Sequence, residues 1–159
     1  MGLTDIICFL AMLCDDQQPL QSIMNQGDAQ IRYTSSSELN DGFEQENTIK
    51  EICILYLRKY VEKDLEAVSD LFAENITLRD WKIYVEGKEN AISETKKNFE
   101  SAGTIEIEIL ATHQSENTVA AELKIVVDSS EVLFVVDVIT LNEKGKITSI
   151  RAYLGRGDD

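Results

Sequence analysis

Basic residues, histidine, cysteine and long apolar runs are all scarce in this chain, and each scarcity removes a class of function. Fifteen Lys and Arg stand against twenty-nine Asp and Glu, a formal net charge of -14 over 159 residues. Such an acidic surface repels phosphate backbones and anionic headgroups, which argues against nucleic acid or a membrane surface as partner. One histidine, His113, and three cysteines, Cys8, Cys14 and Cys53, fall in no metal-ligand spacing, so neither a metal site nor a disulfide framework is indicated. No stretch reaches the ~20 apolar residues of a membrane-spanning helix. Eight glycines and one proline without a repeat exclude a collagen-like chain. What remains is a chain with 43% hydrophobic residues, of a length suited to one buried core plus an extension.

The extension comes first. Ile6 to Cys14 (IICFLAMLC) has the length of a signal-peptide apolar region, yet no Lys or Arg precedes it and Asp5 stands where a positive charge belongs. The expectation is an N-terminal helix packing on the domain or on a partner, in a cytoplasmic protein; a secreted or periplasmic location is the alternative if the segment is a leader. Retained and packed on the domain, the segment could set Phe9 and Leu10 over a pocket mouth as a lid. From Asp15 to Asn47 the chain turns polar and acidic, and TSSSELNDGFEQEN (Thr34 to Asn47) has the composition of a linker. The sequence thus divides into an N-terminal extension, residues 1–47, and a compact domain, residues 48–159.

Within that domain, Thr48 followed by Glu51 makes a capping box, and Ile49, Ile52, Cys53, Tyr56 and Tyr60 recur at helical spacing, predicting a first helix. Asp64 caps a short second helix that carries Leu65, Val68, Leu71 and Phe72 inward and ends near Ala73 to Asn75. Ile76 to Tyr84 (ITLRDWKIY) predicts a strand with Ile76, Leu78 and Asp80 on one face. Gly87 turns into a third helix reaching about Ala102, closed by Gly103. Four strands, TIEIEIL, AAELKIVV, VLFVVDVITL and ITSIRAYL, then follow as a meander through the short loops QSEN, DSSE and NEKGK. The predicted fold is α+β: three helices packed on a strongly curved antiparallel sheet enclosing an apolar pocket. Leu133, Val135, Ile139, Ile150, Ala152 and Leu154 of the last two strands are its expected walls. Trp81, next to Asp80, is a further candidate for substrate contact, although packing against the helices or a second subunit is the plainer reading of Trp81 and Tyr84.

Three polar side chains interrupt the inward stripes. Asp137 shares a strand face with Leu133, Val135, Ile139 and Leu141, where desolvation raises a carboxyl pKa. Two readings stand side by side: a buried acid satisfied by backbone amides, or a protonated acid able to donate a hydrogen bond. Tyr56 could be a core aromatic, and Asp80 could cap the turn before Gly87. Together, two carboxyls and a phenol around one apolar cavity suggest acid/base chemistry.

At these residues the chain resembles ketosteroid isomerase, within the superfamily of nuclear transport factor 2-like and SnoaL-like cone-shaped domains. LYLRKYVEKDLEAVSDLFAENITLRD is similar to the isomerase's first two helices and first strand, and FVVDVITLNEKGKITSIRAYL to its last hairpin. The resemblance spans roughly Thr48 to Leu154 as an element order. It implies Tyr56 as the oxyanion-binding tyrosine, Asp80 as the catalytic base and Asp137 as the protonated, oxyanion-binding acid. The implied reaction shifts a double bond into conjugation with a ketone through a dienolate, without cofactor or metal, on a small apolar carbonyl compound, in a homodimer. Trp81 stands where the family commonly has proline. Phe72 and the neighbourhood of Thr95 fall where some members carry tyrosines supporting the oxyanion tyrosine, so that network looks truncated. Two other functions fit the same architecture: a SnoaL-like cyclase or dehydratase acting on a polyketide-like substrate, and a non-catalytic ligand-binding or scaffold domain.

Overall fold

The computed structural model describes residues 44–157. The expected apolar helix over Ile6 to Cys14, its lid role and most of the linker lie outside the described residues. The first helix, α1 (Glu44–Val61), starts one turn before Thr48, which therefore lies inside the helix and does not cap it. The EQE run ahead of Asn47 has high intrinsic helix propensity, and that moves the boundary. Cys53, Tyr56, Leu57 and Tyr60 form the buried stripe of α1. Lys63 adopts a left-handed conformation (φ 54°) that ends the helical run, and its Nζ donates to the carbonyls of Ala102 and Gly103. Asp64 then caps α2 (Leu65–Leu71) by accepting from the Ala67 amide at 3.0 Å.

The next boundary differs from the sequence expectation. The second helix stops at Leu71 and β1 (Phe72–Arg79) begins at once, because Phe72 is fully buried and paired beside Ile147. Likewise ITLRDWKIY is not one strand. After Arg79 the chain turns at Asp80, whose Oδ1 accepts from the amides of Lys82 (2.6 Å) and Ile83 (2.8 Å), and β2 (Tyr84–Glu86) returns antiparallel along β1. An Asp side chain that mimics a backbone turn makes this reversal. Gly87 (φ 86°), in a conformation costly for other residues, leads into α3 (Lys88–Ser101).

Four long strands follow: β3 (Ile105–Ser115), β4 (Thr118–Val127), β5 (Glu131–Leu141) and β6 (Ile147–Leu154). They pair antiparallel as the expected meander. The sheet order is β2-β1-β6-β5-β4-β3, and the β1–β6 pair is parallel, so the sheet is mixed and not wholly antiparallel. Chain direction explains this. The α3 crossover leaves β3 running with β2, and three hairpin reversals bring β6 back alongside β1 in the same sense.

The inner face of β4 buries Val119, Ala121, Leu123, Ile125 and Val127, and that of β5 buries Val135, Ile139 and Leu141. A register shift opposite Thr140 and Leu141 brings both Ile147 and Ile150 of β6 into the core despite their odd spacing. Helices α1 and α3 close over this face, α1 touching β3 and β4, and α3 touching β1 and β2. Each large aliphatic side chain so buried contributes about 1.5–3 kcal/mol. No helix among the described residues is long and apolar enough to cross a membrane.

Candidate active site

A partly open cavity of about 30 Å³ lies between the two long helices and the inner sheet face, with Tyr56, Asp80 and Asp137 all in its wall. Its size decides what enters: about two ordered waters, or one small functional group of a larger molecule.

Asp137 comes from the middle of β5. Its strand neighbours in register are Ala121 on β4 and Ala152 on β6, and these two small side chains leave the space into which the carboxyl group is set. Only 7% of the residue is exposed, and Oδ1 is buried without a hydrogen-bond partner. Burial first, and the negative charge of Asp80 second, push its pKa from the ordinary 3.8 up to about 7. The carboxyl group therefore holds a proton for much of the time near neutrality.

Tyr56 is delivered by the buried stripe of α1 and is 5% exposed. Its ring packs edge-on against Tyr60 (centroids 5.9 Å apart) and tilted against Phe72 (6.0 Å), fixing its orientation. Burial, with the fields of Tyr60 and Asp137, holds its phenol well above the usual range, so the hydroxyl stays protonated and can donate. Asp80 sits at the turn between β1 and β2, not on the strand face where the alternation put it. Its Oδ1 holds the turn while the residue also lines the cavity.

Of the expected apolar walls, Ile150 and Ala152 line the cavity. Leu133, Val135 and Ile139 do not. Val135 and Ile139 are buried in the core, but each is two residues along β5 from Asp137, about 6.8 Å away and beyond so small a space. Leu133 packs at the edge of the core further out along the strand. Leu154 is a correction of a different kind: it lies at the end of β6 and is 47% exposed. Trp81 packs on the core and is not part of the wall.

The remaining wall contains residues that sequence reasoning left in the core stripe or did not single out. Tyr60, one turn beyond Tyr56, lines the cavity and accepts a hydrogen bond from the Asn98 amide at 3.1 Å. Asn98 and Thr95 are buried polar residues on the inward stripe of α3, beside Ala91 and Phe99, and Thr95 Oγ1 donates back to the Ala91 carbonyl at 2.9 Å. Two polar residues at i, i+3 on a buried stripe were the available signal. His113 is exposed on β3, and among the described residues no group of metal-ligating side chains stands together. Cys53 is buried, and that burial pushes its thiol up to about 12, which disfavours the reactive thiolate.

The chain matches the SnoaL-like domain over residues 55–150. No curated protein matches its sequence significantly. Among solved structures, it is 28% identical to SalBIII, described as an epoxide hydrolase/cyclase-like enzyme in pyran ring formation in the polyether salinomycin. The TM-score is 0.63, with 69% of this chain and 92% of that chain covered. A putative ketosteroid isomerase from Kribbella flavida superposes with a TM-score of 0.62 at 11% identity, covering 71% of this chain and 82% of the other. An LEH-like epoxide hydrolase of M. tuberculosis gives 0.60 at 13% identity, covering 69% and 84%. The last two show the shared fold alone. With the cone-shaped α+β architecture and more than half of its length matched, the chain belongs to the SnoaL-like family of nuclear transport factor 2-like domains.

Proposed function

We propose that the cavity houses a cofactor-independent acid/base enzyme acting on a small electrophilic oxygen group, in which Asp80 takes a proton while Asp137 and Tyr56 hold the oxygen. The observation that carries this reading is the Asp137 carboxyl: buried, with Oδ1 unpartnered, in a cavity that Asp80 also lines, where burial favours its protonated form. A scaffold domain gains nothing from an unsatisfied buried acid, which costs folding free energy.

On an unsaturated ketone the site would act as a steroid delta-isomerase-like enzyme. Asp80 removes a proton from the carbon between the ketone and the neighbouring double bond, charge moves onto the ketone oxygen, and Tyr56 and Asp137 donate hydrogen bonds to it. Asp80 returns the proton at the far end of the conjugated system, giving the enone. The cavity admits the carbonyl end of such a substrate, and the remainder lies at the mouth.

A second reading is favoured by the 28% identity to SalBIII. On an epoxide bearing a nearby hydroxyl, Asp137 would protonate the opening epoxide oxygen while Asp80 accepts the proton of the attacking hydroxyl, forming a cyclic ether. Both readings use the same pair of acids, Asp80 to take the proton and Asp137 to meet the oxygen.

The test is a two-substrate assay. A monocyclic β,γ-unsaturated ketone gains ultraviolet absorbance on conjugation, and an epoxy alcohol yields a cyclic ether separable by chromatography. Turnover of one of them, reduced at least about a hundredfold in Asp80→Asn and in Asp137→Asn, is the expected result. Equal rates in wild type and both variants would leave a non-catalytic binding domain as the better account.

A further inference from the structure

The truncated aromatic network expected around Tyr56 is not simply missing. A different pair stands at the cavity, Tyr60 from α1 and Asn98 from α3, each about nine-tenths or more buried. Direction matters here. The Asn98 amide is the donor and the Tyr60 oxygen the acceptor at 3.1 Å, so one lone pair of the phenol is occupied and its own hydrogen remains to be given. A phenol that accepts a hydrogen bond becomes a better donor, because the bond favours charge on its oxygen. The Phe99 ring packs edge-on against Tyr60 at 4.9 Å and leaves the ring little freedom to turn. On the other side stands Tyr56 at 5.9 Å between centroids.

The electrostatics agree with this placement. Burial holds the Tyr60 phenol above its ordinary range, the Asn98 bond works in the opposite sense, and the charges of Asp137 and Asp80 add to the rise. Tyr60 therefore feels both carboxyl groups of the site and stays a neutral donor beside them.

We infer that Tyr60 is a third hydrogen-bond donor to the oxygen that the cavity receives, and that Asn98 is its positioning residue. This rests on the acid/base reading given above and extends it: an oxygen that gathers negative charge is met by two phenols and a carboxylic acid, with Asn98 turning the second phenol toward it. Three donors around one oxygen suit a planar, delocalised oxyanion, such as an enolate or a phenolate, whose spread charge they can share.

The probe is para-nitrophenol, a planar phenol whose ionised form absorbs in the visible. Wild type is expected to bind it and to ionise it at a lower pH than in water, since the donors favour the charged form. Tyr60→Phe should weaken binding about tenfold and raise the pH at which the bound probe ionises. Asn98→Leu should move both readings in the same direction by less, while thermal unfolding reports whether each variant is folded. A purely structural role for the pair would leave the ionisation of the bound probe where it was. If Asp137→Leu moves that ionisation and folded Tyr60→Phe and Asn98→Leu do not, Tyr60 is removed from the site and the acid/base reading stands. If wild type neither binds the probe nor shifts its ionisation, both proposals fall.

Discussion

At the scale of single residues, the site turns on one carboxyl group whose charge the fold disfavours. Between the ordinary value of 3.8 and about 7, folded Asp137 keeps a proton that the unfolded chain has already released. Through this group the folded state then binds more protons, so the contribution of Asp137 to stability falls as pH rises through this window and levels off above it. Asp137→Asn removes the titration while keeping the shape, and urea unfolding at stepped pH should show the wild-type decline relative to the variant flattening above about pH 7. Removing the charge of Asp80 with Asp80→Asn should shift the end of that window downward, because that charge is the second cause of the rise. Wild type and Asp137→Asn changing in parallel from pH 4 to 8 would show that Asp137 ionises as it does in water. Asp137 was legible in the sequence because a lone acid in VLFVVDVITL has no solvated face to occupy. Tyr60 and Asn98 were not: periodicity places Tyr60 on a buried stripe, but nothing local tells a phenol that its partner lies 38 positions away.

At the scale of elements, the meander and the third helix follow from alternation and from Gly87, and the structure reproduces them to within a few residues. The failures lie where one period runs through a boundary. Phe72 continues the helical spacing of Val68 and Leu71, so the start of β1 is hidden. The alternation of ITLRDWKIY continues through a reversal that contains neither glycine nor proline, so a hairpin reads as one strand. Only the Asp80 side chain signals that turn, by accepting the amides of Lys82 and Ile83. Its two roles can be separated by stability. Asp80→Asn keeps the accepting oxygen and should unfold within about 0.5 kcal/mol of wild type, whereas Asp80→Ala leaves two amides to other partners and should cost about 1 kcal/mol. Equal stabilities in chemical denaturation would mean that the turn does not depend on this side chain, and that Asp80 sits there for its chemistry alone.

At the scale of the whole molecule, the sheet has two faces and only one is covered by α1 and α3. On the other, Val136 and Val138 of β5 stand between Tyr153 and Arg151 of β6 and Glu122 and Ala120 of β4, with Val132 and Tyr153 about half exposed. Arg79 stacks over the Tyr153 ring, its carbon 5.1 Å from the centroid, and also donates to the Tyr153 hydroxyl, so this aromatic is held in place. We propose that a second copy of the chain covers this face. The patch is apolar at its centre and carries both signs of charge at its rim, Lys124 and Arg151 against Glu108 and Glu122, which suits a two-fold contact in which each patch meets itself. Two electrostatic effects then compete. Rim ion pairs are worth at most about 1 kcal/mol and weaken with salt, while two chains of net charge -14 repel each other until salt screens them. With so large a net charge the repulsion wins, so association should strengthen as salt is raised toward about 0.15 M, where the screening length is about 8 Å. Sedimentation equilibrium should therefore give a dimer whose dissociation constant falls with added salt. Val136→Glu, which sets a charge at the centre of the patch, should give a monomer with an unchanged far-ultraviolet spectrum. A wild-type monomer at every concentration and salt would leave this face to some other covering.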